Sequence, residues 1–600
     1  MIRGYDQKPR KMERRDQMIR LLKRMPAKDW GFFAIVCVLI FVSAWMTFTM
    51  PGYMSQITTL VETEGSEMSE IWYNGLMMLL CACIDVVATV TAQFFASKIA
   101  ASFAMKIRSD LYNKVVDFSM EEINEFSTAS LVTRTTNDIT QIQLMLATGT
   151  TSIVRVPVMV IWAFIKIVGF GWQFSVISVC TVVFMLILVA TNLILVIPKF
   201  RRVQIITDKI NSSARENLTG VRVVRAYNAE KYQEDKFDEP NKDITKTQIF
   251  TGKVMGYLFP GMQFAMNGTS LATYLVGSFV LLATGTAAGR ITVFSNMVVF
   301  MTYAVHLVMS FMVLAMIFSS LPRAQVSAAR INEVLDKTAK ILDGEGKPEE
   351  EAKGTVEFRN VSFKYPDAEE SVLENITFKA EPGETVAFIG ATGSGKSTLV
   401  NLIPRFYDVT EGQVLVDGVD VRDYKQSDLR EKLGYVSQKA ILFKGTIASN
   451  VAYGSSDEPD EARIRKAMEI AQGSDILDKD ETGIRAPVAQ GGTNFSGGQK
   501  QRISIARAVY RQPEIYIFDD SFSALDYKTD KKLRSVLAHE TAGITTFIVA
   551  QRIGTVRDAD KIIVIDEGKM VGIGTHEELL AGCEIYRQIA LSQLSKEELA

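Results

Sequence analysis

The residues with the most chemical content lie in the second half of the chain. Residues 385–398 read TVAFIGATGSGKST, where a short apolar run, Val386 to Ile389, precedes Gly390, Thr392, Gly393, Ser394, Gly395, Lys396, Ser397 and Thr398. A glycine-rich loop between a buried strand and a helix lets backbone N–H groups close around phosphates. The helix adds its positive end. In the spacing Gly-x4-Gly-Lys-Ser, the lysine reaches the β and γ phosphates and the hydroxyl goes to Mg²⁺. A second apolar strand, Ile515 to Asp520, carries Asp519 where a Mg²⁺ site needs a carboxylate. Between the two, residues 494–502 read NFSGGQKQR. Ser496, Gly497, Gly498 and Gln499 there start a helix and form another anion-binding terminus. One chain needs one phosphate loop per nucleotide, so this second site points to a nucleotide held between two chains. The chemistry expected is ATP binding with Mg²⁺.

The elements that must position these residues occupy a chain of 600 residues, too long for one domain. Mean hydropathy is +0.12, yet 22% of residues are charged. An apolar half followed by a polar half reconciles the two, with the change near residue 325. The formal net charge of −2 carries no nucleic-acid signature. The five cysteines, Cys37, Cys81, Cys83, Cys180 and Cys583, show no metal spacing and read as small core residues.

Six apolar stretches, about 31–56, 71–97, 150–170, 173–197, 254–284 and 291–320, each reach the length a transmembrane helix needs. The basic segment before them, with Arg3, Lys8, Arg10, Lys11, Arg14, Arg15, Arg20, Lys23, Arg24 and Lys28, is not a cleavable signal. The 57–70 loop holds Glu62, Glu64, Glu67 and Glu70 but no Lys or Arg, and the third and fifth connections are short. The connections 98–149 and 198–253 are long and basic, so they and both termini are expected in the cytoplasm. Their helical periodicity reads as spans continued beyond the membrane. Turns are expected near Ser119–Phe126 and Tyr227–Lys236, where they can touch a cytoplasmic domain. Asp85, Arg155 and Lys166 are charges inside spans and must face a cavity or a partner. An Asp85–Arg155 pair is one expectation, and separate exposure to a wet vestibule is the other. Lys166 can snorkel. The expected domains are a basic segment 1–29, a membrane domain 30–325, a linker 326–353 and a nucleotide domain 354–600.

Here the sequence resembles a known family. GATGSGKST, Gln438 in GYVSQKAILFKGTI, NFSGGQ, IFDDSFSALD and VAQR follow in the order of an ATP-binding-cassette protein. With six spans ahead of the cassette, nearly the whole chain resembles a half-transporter of the ABC exporters. FSTASLVTRTTND and ENLTGVRVVRAY look like that family's intracellular-loop segments. The resemblance implies an all-α six-helix transmembrane domain followed by an α/β nucleotide-binding domain. It also implies roles. Tyr365 would stack on adenine, and Lys396, Ser397 and Thr398 would hold phosphates and Mg²⁺. Gln438 would touch Mg²⁺ or the attacking water, and Asp519 would help hold Mg²⁺. Ser496 to Gln499 would close over ATP bound to the opposite subunit, and Ser523 to Asp526 would join the two sites.

The departures fall on the hydrolysis residues. After Asp519 the family usually has Glu, which polarises water. Asp520 is one methylene shorter, a retreat of roughly 1–1.5 Å, and misplacement on that scale can cost about 100-fold in rate. The position of Gln551 usually holds His, and Gln carries no positive charge. Gln490 stands in a run where the family has charge. The expectation is therefore a heterodimeric exporter subunit in a cell membrane, with a weakly hydrolysing site of its own and a signature loop that completes its partner's site. Its cargo is expected to be amphipathic: drugs, lipids or peptides. The alternatives are a slow homodimeric exporter and an ATP-gated, channel-like regulator.

Overall fold

The structure is a computed structural model and describes residues 13–63, 66–345, 353–455 and 458–593. Arg3, Lys8, Arg10, Lys11, Glu64 and the linker stretch 346–352 lie outside the described residues. The chain forms two compact units. One holds the described residues up to Val116 together with Thr128–Lys337. The other holds Asp117–Ser127 and the described residues from Thr338 onward.

In the first unit six helices are long and apolar enough to cross a membrane: Ala27–Glu62, Met68–Val116, Thr128–Val168, Trp172–Thr219, Glu230–Ala283 and Ala287–Ile317. They contain the six expected stretches, apart from the last few residues at three C-terminal ends. The helix Met68–Val116 has 49 residues. At about 1.5 Å per residue it far exceeds a hydrocarbon core of about 30 Å. Its Ala88, Ala92, Ala96, Ala100 and Ala104 are buried at every fourth position. This small-residue stripe lets the helix Ala27–Glu62 approach closely, as small residues do between membrane helices. Val86, Val87, Val90 and Phe94 on other faces are exposed, which suits lipid. Elsewhere hydroxyls bridge helices inside the apolar core. Thr181 and Thr269 are 2.7 Å apart, and Tyr303 donates to the Phe48 carbonyl at 2.9 Å.

Two expectations are corrected here. The second long connection breaks at Gly220 and again at Tyr227–Ala229, on either side of the short helix Val221–Ala226; the second break lies at the start of the expected Tyr227–Lys236, the rest of which is helical. Gly220 caps the preceding helix, and Asn228 takes a left-handed φ of +49°, which asparagine tolerates. Lys236 lies inside the next helix and pairs with Glu216 at 2.9 Å. The Asp85–Arg155 pair does not form. Asp85 Oδ1 accepts from the Ser43 and Thr89 hydroxyls, and no ion pair joins it to Arg155. The last helix of the unit runs on to Asp336.

The second unit is built on two sheets. Strands Leu373–Ala380, Val356–Phe363, Glu411–Val416 and Val419–Asp420 make an antiparallel sheet in that order. Six strands make the other, in the order Lys569–Gly574, Lys561–Asp566, Thr385–Ile389, Thr545–Val549, Ile515–Asp519, Leu433–Val436. Its four pairings from Lys561–Asp566 onward are parallel, and Lys569–Gly574 is antiparallel to Lys561–Asp566. Ile515–Asp519 is buried at every residue and Thr385–Ile389 at all but its first, as expected for strands covered on both faces. Parallel neighbours end on the same edge. The loops after Ile389, Asp519 and Val549 therefore gather there, where ligands bind in open parallel sheets.

The helix Met120–Phe126 packs within this second unit. Ser119 and Glu122 form a capping box, with Glu122 accepting from the Ser119 N–H at 2.8 Å and its hydroxyl at 2.5 Å. Glu122 also accepts from the Lys340 N–H at 3.2 Å, and Asn124 donates to Tyr407 Oη at 3.2 Å. Burial alone would raise the Glu122 pKa, but these hydrogen bonds to the carboxylate lower it below the usual value. Glu122→Ala should therefore destabilise the docked segment by about 1–3 kcal/mol. Faster hydrogen exchange confined to 117–127 and its contacts would show this, and unchanged exchange there would count against it.

Candidate nucleotide site

The phosphate loop needs glycine at two places for different reasons. Gly390 has φ +157°, and a Cβ there would lie 2.0 Å from the Ile565 carbonyl oxygen. Gly395 has φ +98° and caps the helix Lys396–Leu402. Lys396 is buried, and its Nζ donates to the carbonyls of Gly390 at 2.9 Å and Ala391 at 2.7 Å and to Ser394 Oγ at 3.3 Å. Burial pushes its pKa down, and the charges of Asp520 and Asp519 oppose that. Ser397 Oγ donates to Asp519 Oδ1 at 2.7 Å across the two adjoining loops. A hydroxyl and a carboxylate at this spacing are hard oxygen donors and fit Mg²⁺, which takes one or two protein ligands plus substrate phosphates. Among the described residues no group of three or more His, Cys, Asp or Glu competes as a metal site.

Asp520 is the geometric centre of the remaining residues. Its φ of +46° is left-handed, and its N–H donates to the Val549 carbonyl at 3.0 Å. That backbone aims the carboxylate at two amides. Oδ2 accepts from Gln551 Nε2 at 3.2 Å and from Gln438 Nε2 at 3.4 Å. Burial raises the pKa of Asp520, against the hydrogen bond of Gln438 and the charges of Lys396 and Arg552. Burial also raises that of Asp519. A cavity of about 310 Å³ opens beside Asp520, Ser523, Gln551 and Arg552. Three residues from three separate strand ends thus meet on one oxygen.

Tyr365 is half-buried, and its hydroxyl lies 3.0 Å from Thr398 Oγ1. Its ring meets Phe363 and Tyr407 edge-on, at 4.9 and 5.3 Å between centroids. Ser496 caps the 15-residue helix Gly497–Arg511 in a capping box with Gln499, and Ser496 and Gly497 are exposed. Gly498 lies under the Ala524 carbonyl, and Gln501 accepts from the Ala524 N–H at 3.2 Å. The signature helix is thereby tied to Ser523–Asp526. No hydrogen bond among the described residues joins Ser496–Gln499 to 390–398. Gln490 and Gly491 lie in a short 3₁₀ turn, where Lys500 donates to the Gly491 carbonyl at 3.0 Å.

Sequence reasoning missed Gln593. From the C-terminal helix Glu584–Gln593, its amide donates to the Gln551 carbonyl and accepts from the Ile553 N–H, both at 2.8 Å. It clamps the backbone on either side of Arg552. No motif signals it, because the contact joins residues about 40 positions apart.

Comparison with known proteins places this geometry in a family. An ABC transporter model matches residues 373–523, and an ABC transporter transmembrane region model matches residues 33–319. The chain belongs to the ABC transporter family. An uncharacterised ABC transporter ATP-binding protein of Mycobacterium tuberculosis is 37% identical, over 93% of this chain and 95% of that one. An ATP-dependent lipid A-core flippase of Pseudomonas aeruginosa is 30% identical, over 84% of this chain and 82% of its own. The fold is like that of a bacterial Atm1-family ABC exporter with ATP bound, at TM-score 0.78 and 22% identity over 94% of this chain and 98% of that one. This ABC protein is a half-transporter, with one membrane unit and one cassette, and is a multi-pass membrane protein.

Loss of the Gln593 clamp should loosen the 551–553 loop selectively. Gln593→Ala leaves the Ile553 N–H unpaired and should speed hydrogen exchange at 551–553 about tenfold, the worth of one buried hydrogen bond. Exchange in 390–398 should not change. Equal acceleration in both loops, or in neither, would refute a local clamp.

Proposed function

We propose that this chain is the degenerate-site subunit of a heterodimeric exporter of amphipathic molecules. The observation that carries the reading is the Asp520 carboxylate, which both Gln438 and Gln551 engage. Hydrolysis of ATP needs a base or orienting group on the attacking water and a donor on the γ-phosphate. Asp520 is short for the first task, and Gln551 lacks the positive charge for the second. The phosphate-binding residues Gly390, Thr392, Gly393, Ser394, Gly395, Lys396, Ser397 and Thr398 are all present, and Asp519 stands where a Mg²⁺ ligand is needed. Lys396 and the loop N–H groups would hold the phosphates, with Ser397, Asp519 and Gln438 toward Mg²⁺ and Tyr365 against adenine. Mg²⁺ there would neutralise phosphate charge. Ser496–Gln499, with Ser496 and Gly497 exposed, would complete the phosphate loop of a second half-transporter, where hydrolysis would occur.

Binding energy from both nucleotides would draw the cassettes together. The segment 117–127 and the turn 220–229 would pass that motion to the helices and switch the cavity outward. The basic long connections support cytoplasmic termini and insertion in the cell membrane. The membrane domain is assigned to 30–325 and the cassette to 354–600, with the linker between. Relatives named as lipid A-core flippases favour a lipid-like cargo. No nucleic-acid partner is implied. A slow homodimer is the competing reading, because the signature loop is intact on the same chain.

Steady-state ATPase in lipid separates the two. The chain alone should be nearly inactive, and activity should appear with a partner that carries the usual Glu and His. It should survive Asp520→Ala here and vanish on Glu→Gln in the partner. Turnover by the chain alone that Asp520→Ala abolishes would establish the homodimer instead.

A further inference from the structure

A mainly apolar cavity of about 270 Å³ lies among four helices of the membrane unit, with Ser43, Thr89, Gln93, Arg155 and His306 among its polar lining residues. Arg155 has no hydrogen-bond or ion-pair partner among the described residues. Its guanidinium offers five N–H donors and is always charged. Asp85 stands behind two of the lining hydroxyls. Both of its hydrogen bonds, from Ser43 and from Thr89 at 3.4 Å, fall on Oδ1, so Oδ2 keeps its full accepting capacity. Ser43 and Thr89 also bond to each other at 3.1 Å, which fixes the carboxylate's direction. The wall therefore carries one positive and one negative charge that do not neutralise each other directly. Charges at membrane depth are costly and persist where a partner or a substrate pathway needs them.

We propose that this cavity receives the head of a zwitterionic amphiphile, with its acidic group on Arg155 and its basic group toward Asp85. The assignment rests on the transporter reading and narrows its cargo. A head with only negative charge would pair with Arg155 but face the field of Asp85. A purely cationic head would meet the reverse. A zwitterion satisfies both, and its tail would lie along Met159, Met309 and Val313, part of the apolar lining. Methionines suit tails of varied shape. His306 adds positive charge only when protonated, so at pH 8 the cavity carries the two opposite charges alone.

The test is equilibrium binding by the purified full-length chain in lipid nanodiscs at pH 8. Three probes share one tail: dodecylphosphocholine, dodecyl phosphate and dodecyltrimethylammonium. The wild type should bind the zwitterion at least about tenfold more tightly than either singly charged probe, the worth of one added charged contact. Asp85→Asn should shift preference about tenfold toward dodecyl phosphate. Arg155→Gln should shift it similarly toward dodecyltrimethylammonium. Equal wild-type affinity for the three heads, or tighter binding of a singly charged one, overturns the proposal. So do variants that weaken all three alike. The wild-type comparison needs no variant, so a misfolded mutant leaves the test standing. Binding needs no ATP turnover, so its failure is distinct from a failure of the asymmetric-site reading.

Discussion

The site depends on three parallel strands that end on one edge. Thr385–Ile389 lies between Lys561–Asp566 and Thr545–Val549, and Ile515–Asp519 follows. In each of these buried strands a one-residue slip would exchange the side chains of the two covered faces and disrupt the packing of both layers, so the register is held. Fixed register places Gly390, Asp519 and Ala550 at corresponding ends. From there Ser397 reaches Asp519, and Gln551 reaches Asp520, without any long loop. A strand slip would dismantle phosphate binding and the Asp520 cluster together.

Within that frame the chemistry divides between binding and cleavage. The binding side is closed by hydrogen bonds: Lys396 to two loop carbonyls and Ser397 to Asp519. The cleavage side turns inward on itself, as two neutral amides point into one carboxylate held by a left-handed backbone. A left-handed residue other than glycine costs roughly 1–2 kcal/mol. At Asp520 the N–H bond to Val549 offsets part of that cost. On the proposed reading, Asp520 holds its place while its reach falls short of the attacking water.

The phosphate loop, the two acidic positions and the signature helix were legible in the sequence. Each is a contiguous string whose strand-to-helix context is also local. The six spans were legible because hydrocarbon thickness sets a length that composition reveals. Contacts between distant segments were not. Gln593 reaches Gln551 from the C-terminal helix, and Asn124 reaches Tyr407 from the short helix Met120–Phe126 far upstream. Asp85 and Arg155 looked like a pair because their depths matched. Local hydroxyls on Ser43 and Thr89 captured the carboxylate instead. The break at Tyr227–Ala229 was legible, but the earlier one at Gly220 was not, because the polar stretch around it is helical on both sides.

The most direct measurement is the fate of the γ-phosphate on this chain in its native membrane. Photolabelling with 8-azido-ATP carrying label at the α or the γ position, followed by isolation of this chain, reads it. Equal α and γ label retained after minutes of turnover is predicted, because in the proposed account this site holds ATP uncleaved. Retained α label with γ label lost at the rate of bulk hydrolysis would mean that Asp520 cleaves ATP, and would contradict the account.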